Sequence, residues 1–144
     1  MPNSEANALL TRVECEVMQI LWRRKQGTTA NDVVRELKRP VAYTTALTML
    51  RILEQKGYVV HEPHPEGGRA HLFRPAVPEH TVRRSHVRDL VGRLFQGEPN
   101  ALVSGLLQEE RFSREALEEL KTQIDEKLKA SSSKKTPGKR GARQ

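Results

Sequence analysis

Thr29-Ala30-Asn31-Asp32-Val33-Val34-Arg35-Glu36-Leu37-Lys38, then Pro40, then Tyr43-Thr44-Thr45-Ala46-Leu47-Thr48-Met49-Leu50-Arg51-Ile52-Leu53-Glu54-Gln55-Lys56, reads as two helices joined by a tight connection. Val33, Val34 and Leu37 supply the inward face of the first, and Pro40 cannot continue it. Ala46, Leu47, Leu50 and Leu53 recur at helical spacing in the second, which Gly57 closes. Two strand-like runs follow, Tyr58–Glu62 and Arg69–Arg74, joined by Pro63-His64-Pro65-Glu66-Gly67-Gly68, whose glycines permit positive φ at a hairpin tip. Helix, tight connection, helix, then a β-hairpin with a basic tip is the layout of a winged helix-turn-helix. In that motif the second helix can enter the DNA major groove.

The outer face of that second helix carries Thr44, Thr45, Thr48, Arg51 and Gln55, not the Glu/Lys mixture that usually solubilises a helix. Threonine is a mediocre helix former, so three on one face need a reason. Short hydroxyls allow close approach to DNA, bond base edges or phosphates, and offer a methyl to thymine. The plainer alternative is a polar face that begins with a capping threonine. On the DNA reading the binding residues are Thr44, Thr45, Thr48 and Arg51, with Arg69 on the wing.

Upstream, Thr11 and Glu14 form a capping box with Leu10 placed as a hydrophobic staple, and Val13, Val17, Met18, Ile20, Leu21 and Trp22 make a broad apolar face. Arg23-Arg24-Lys25 suits the last turn of that helix electrostatically, and Gln26-Gly27 ends it. Downstream, Pro75 and Pro78 mark a module boundary. Beyond it come an amphipathic helix with Val82, Val87, Leu90, Val91 and Leu94, a short helix near Asn100–Glu110, and a last helix capped by Ser113 with Leu117, Leu120, Ile124 and Leu128 along one stripe. Three such helices bury little apolar surface alone, so self-association is expected through Leu90, Leu94, Leu106, Leu117, Leu120 and Ile124.

The expected fold is therefore mainly α with a small β-hairpin. It comprises a winged-helix DNA-binding domain (1–78), a helical dimerisation domain (79–130) and a disordered basic tail (131–144). The formal charge of +7 divides as +3, −1 and +5 over these segments, which suits a polyanion binder whose middle does something else. Cys15 is the only cysteine, excluding an internal disulfide, and reads as a small core residue. The five histidines are irregularly spaced, and no phosphate loop, nucleophile elbow or HExxH occurs, so neither enzyme, metal site nor cofactor is expected. Without an apolar run of roughly 20 residues or a leader pattern, the chain reads as cytoplasmic.

Leu10–Met18 with Ile20-Leu21-Trp22, Ala42–Leu50 with Leu53 and Lys56-Gly57-Tyr58, Gly68–Pro75, and Phe95-Gln96-Gly97 through Phe112–Glu115 together resemble the bacterial penicillinase-repressor family, the BlaI/MecI/CopY type, from about residue 9 to 128. The resemblance implies a homodimeric repressor on a double-stranded palindromic operator, often of a β-lactam-resistance operon, released by an inducing signal. It also implies a membrane-bound sensor metalloprotease that triggers cleavage in the dimerisation domain. Staphylococcal members are cut at an Asn-Phe bond, where this chain aligns Gly105-Leu106, so that cleavage specificity does not carry over. The copper-responsive members carry C-terminal cysteine motifs that this chain lacks. Two other readings of the residues stay open: a winged-helix module for protein–protein docking, and a regulator gated by a ligand or metal.

Overall fold

The computed structural model describes residues 8–68 and 70–133. Its elements run α1 (Arg12–Arg23), α2 (Ala30–Glu36), α3 (Tyr43–Gln55), β1 (Val59–Pro63), β2 (His71–Pro75), α4 (Glu79–Leu94), α5 (Pro99–Glu109) and α6 (Arg114–Ser133). The chain divides into two compact units, Met1–Leu94 and Phe95–Gln144.

Local chemistry starts the first two helices. At α1 the Thr11 hydroxyl accepts from the Glu14 backbone N–H (3.2 Å) while the Glu14 carboxylate accepts from the Thr11 N–H (3.0 Å). Thr29 and Asp32 repeat this reciprocal cap at α2. Val17, Met18, Ile20 and Leu21 of α1 pack with Val33 and Leu37 of α2 and with Ala46, Leu50 and Leu53 of α3 in one core. Arg24 reaches from the end of α1 to Asp32 and Glu36, tying the two helices on their polar side.

The wing is an antiparallel pair in which Val59 faces Pro75 and Pro63 faces His71. Gly67 and Gly68 both adopt φ 86 in its turn, as the sequence requires. Adjacent residues of a strand point to opposite faces, yet β2 buries Leu72 and Phe73 alike. The reason is a third, one-residue strand. Thr28 exchanges backbone hydrogen bonds with Phe73 (2.9 and 2.7 Å), so the edge of β2 is covered and its other face also meets the protein. Leu72 then lies directly over Gly27.

The Thr28 side chain is fully buried, and its hydroxyl has no hydrogen-bond partner among the described residues. An unsatisfied buried hydroxyl carries its desolvation cost without return. Thr28→Val is therefore expected to stabilise the protein by about 1 kcal/mol, raising Tm by several degrees in thermal unfolding followed by circular dichroism. A lowered Tm would show that the hydroxyl is partnered.

Pro75 and Pro78 do not end the first unit, and the expected boundary at residue 78 is corrected. Helix α4 belongs with the winged core. Val82 is buried in that core, the Trp22 indole N–H donates to the Val77 carbonyl (3.0 Å), and His86 Nε2 accepts from the Leu10 N–H (3.0 Å). These partners lie 55 and 76 residues apart in sequence, beyond the reach of any local pattern. The segment before α1 is held twice more, by the Tyr58 hydroxyl on the Ala8 carbonyl and by Lys56 Nζ on the Leu9 carbonyl (3.4 Å). Lys56 also pairs with the buried Glu14 carboxylate at 2.7 Å. Burial alone would push that carboxyl up, but the Lys56 ammonium and the Thr11 cap outweigh it and hold it below its ordinary value.

Cys15 is half-buried, and burial together with the charges of Glu14 and Glu16 pushes its thiol up, which keeps it protonated and unreactive.

In the second unit, Ser113 caps α6 through the Ala116 N–H (3.0 Å). That helix continues to Ser133, so residues 131–133 are helical and not part of a disordered tail. The remainder of the expected tail, 134–144, lies outside the described residues. Helix α5 buries none of its residues, and Val103, Leu106, Leu107, Leu117, Ile124 and Leu128 are all exposed. No described helix is long and apolar enough to cross a membrane.

Candidate nucleic-acid interface

Helix α3 presents the candidate reading surface. Its inward face is fully sequestered, with Ala46, Leu50 and Leu53 each at zero exposure. That burial sets the helix rotation and leaves Thr44, Thr45, Thr48, Arg51 and Gln55 exposed together. Helical geometry sorts the exposed side into rows. Thr44, Thr48 and Gln55 run along the middle, Thr45 and Ile52 along one edge, and Tyr43, Leu47 and Arg51 along the other. The N-cap position is Ala42 and makes no side-chain hydrogen bond, so no threonine is engaged in capping. The plain capping explanation for the threonine face is thereby removed.

Electrostatically the face is free of competing acid. The Glu54 carboxylate is engaged by His61 Nδ1 at 2.7 Å. Elsewhere in the first unit, Arg23, Arg24, Arg35, Arg39 and Arg74 each pair with a carboxylate. The basic end of α1 thus serves a structural purpose beyond compensating the helix dipole. Arg51 has no such ion pair among the described residues, and its charge faces solvent. Arg69, the expected wing contact, lies outside the described residues.

Beside α3 the structure brings together residues that pattern reading did not single out. Asn31 from α2, Tyr43 and Arg51 from α3, and His71 from β2 line a small cleft together with Thr29, Ala30, Leu47, Ala70 and Phe73. The His71 ring stacks on His61 with centroids 4.6 Å apart. Tyr43 and Ile52 carried a sequence signal, since each is a large apolar side chain off the buried stripe. Asn31 and His71 carried none, because only tertiary packing sets α2 and β2 against the same edge of α3. Among the described residues no group of three or more His, Cys, Asp or Glu side chains is arranged to hold a metal.

The second unit offers a different surface. An apolar groove of about 640 Å³ runs between α5 and α6, lined by Val103, Leu107, Leu117, Leu120, Ile124 and Leu128. Of the expected association residues, Leu117, Leu120 and Ile124 meet there. Leu106 is exposed but does not line the groove, and Leu107 takes that place. Leu90 and Leu94 belong to α4 in the other unit, the first half-buried and the second exposed.

The family model described as penicillinase repressor matches residues 10–126. A penicillinase repressor of Bacillus licheniformis is 29% identical over 119 residues, covering 81% of this chain and 90% of that protein. The methicillin resistance regulatory protein MecI of Mammaliicoccus sciuri is 23% identical over 120 residues, or 82% of this chain and 94% of that protein. Among solved structures, the MepR–DNA complex of S. aureus aligns over 84% of this chain and 80% of that chain, with 20% identity and a TM-score of 0.44.

Proposed function

The chain belongs to the penicillinase repressor family, and on that premise we propose that it is a dimeric DNA-binding transcriptional repressor that occupies a palindromic operator and leaves it on an inducing signal. One observation carries the reading: the buried stripe of α3 turns outward on one face three threonines that take no part in capping and an arginine with no ion pair among the described residues. Helix α3 lies in the major groove, where Thr44, Thr45 and Thr48 meet base edges, and the β1–β2 wing flanks it, Arg69 being its expected DNA contact. The groove between α5 and α6 receives its counterpart from a second copy. That places two α3 helices for two half-sites, as a palindrome demands.

Release follows from that arrangement, since a change that separates the copies also separates the half-sites. A membrane sensor protease acting on the second unit would do this. The cleavage specificity of the staphylococcal members does not carry over to Gly105-Leu106, and because both residues lie within α5, cutting there would first require the helix to open locally.

The test is a titration of operator and random duplex at several salt concentrations. Phosphate contacts give a steep salt slope, and base contacts give an operator preference that survives salt. A protein-docking module would show neither. Within that assay, Thr48→Ala is expected to weaken operator binding by roughly 1–2 kcal/mol while leaving random-duplex affinity and the fold intact, because only an exposed hydroxyl and methyl are lost. Unchanged operator affinity would place the reading surface elsewhere.

A further inference from the structure

We propose that the cleft between α2, α3 and β2 seats one backbone phosphate of the bound duplex, so that Arg51 positions the recognition helix and reads no base. The inference rests on the DNA-binding reading above and divides its labour among residues. Arg51 is not in the middle row of α3 with Thr44 and Thr48. It ends the edge row Tyr43, Leu47, Arg51, and that row borders the cleft. Besides Thr29, whose hydroxyl is committed to the α2 cap, four residues with hydrogen-bonding side chains line it from three elements: Asn31, Tyr43, Arg51 and His71. No carboxylate among the described residues lines it. The nearest acid in sequence on α3, Glu54, is occupied by His61, whose ring in turn stacks on His71 and braces it at the cleft edge.

Size selects the ligand. At about 70 Å³ the cleft is far below the roughly 300–1,000 Å³ of small-molecule sites, which favours a small anionic group over an effector. The oxygens of a phosphodiester, entering from a duplex that stays outside, need only such a notch. The guanidinium suits that oxyanion in charge and in planar donor geometry. Arg23, Arg24, Arg35, Arg39 and Arg74 are paired with carboxylates, whereas Arg51, like Arg12, Arg84 and Arg88, has no ion pair among the described residues, and of these four it is the one that lines the cleft.

Phosphate contacts position a protein without specifying sequence, and this separates the proposal from base reading. Arg51→Gln should lower affinity for operator and random duplex alike, by roughly tenfold, and flatten the salt slope by about 0.9 per bound chain. Arg51→Lys should restore the slope, since a point charge still neutralises a phosphate. Tyr43→Phe, which removes only the hydroxyl, should reduce both affinities severalfold with the slope unchanged. Loss of operator affinity alone in Arg51→Gln would make Arg51 a base reader and overturn the proposal, as would a variant indistinguishable from wild type. A wild type with no salt-dependent duplex binding would instead sink the DNA reading itself, a result visible before any substitution is made.

Discussion

Leu120→Asp is expected to convert the repressor from dimer to monomer and to reduce operator affinity by orders of magnitude, although every DNA-contacting side chain remains. Leu120 is the half-buried member of the apolar groove, flanked along α6 by Leu117 and Ile124 and faced across it by Val103 and Leu107 of α5. These neighbours leave too much apolar surface uncovered for an isolated unit: Leu117, Ile124 and Leu128 are 44%, 52% and 63% exposed. If a second copy covers that groove, an aspartate in its centre is desolvated without a partner and costs several kcal/mol. Operator binding falls with it. Two half-sites engaged by one linked pair of reading helices gain about 10²–10⁴ from effective concentration, and a monomer forfeits that gain. Sedimentation of the variant beside an operator titration checks both halves. A variant that stays dimeric, or a wild type monomeric at micromolar concentration, would remove the α5–α6 groove as the interface. A monomeric variant with undiminished operator binding would show that dimerisation does not supply the affinity.

Gly27→Ala is expected to destabilise the protein by about 3 kcal/mol or more, and to lower Tm by more than about 10 °C. Two independent costs meet at this position. Its φ of 101 lies where side-chain-bearing residues are strained, at about 1–3 kcal/mol. A Cβ there would also come within 2.6 Å of Leu72 Cγ, inside the wing's buried contact with the core, and overpacking adds about 1–3 kcal/mol. The second cost has a signature. Measured in a Leu72→Ala background, Gly27→Ala should cost less than in wild type, because the clash has gone while the strained φ remains. Additive costs in the double variant would show that Leu72 does not press on this glycine. A Gly27→Ala variant as stable as wild type would contradict the left-handed conformation itself.

Much of the first unit was legible from sequence because its signals are local. Thr11 and Glu14, or Thr29 and Asp32, are three residues apart and close their caps with groups that any isolated chain would bring together. The buried stripe of α3 repeats with the helical period, so its exposed side follows by subtraction. That is why Thr44, Thr45, Thr48 and Arg51 could be named as one face before the fold was known. The glycine pair at the wing tip likewise announces a turn through its own backbone freedom.

Other features depended on partners distant in sequence. Prolines at 75 and 78 interrupt local structure, and a boundary placed there is reasonable on local grounds. Only Val82 in the core and His86 against Leu10 assign α4 to the winged unit. Leu107 and Leu106 are adjacent and equally apolar, and the packing of α5 against α6 decides which of them lines the groove. Asn31 and His71 carry no pattern at all, yet the fold brings both to the cleft that Arg51 also lines. The sequence by itself therefore determined the order of the elements, their caps and the composition of the exposed face of α3, since hydrogen bonding and helical period act over a few residues. The extent of the first unit, the cleft beside α3 and the Leu72–Gly27 contact were decided by tertiary structure alone, because each needs segments tens of residues apart to be held together by a core that no short stretch contains.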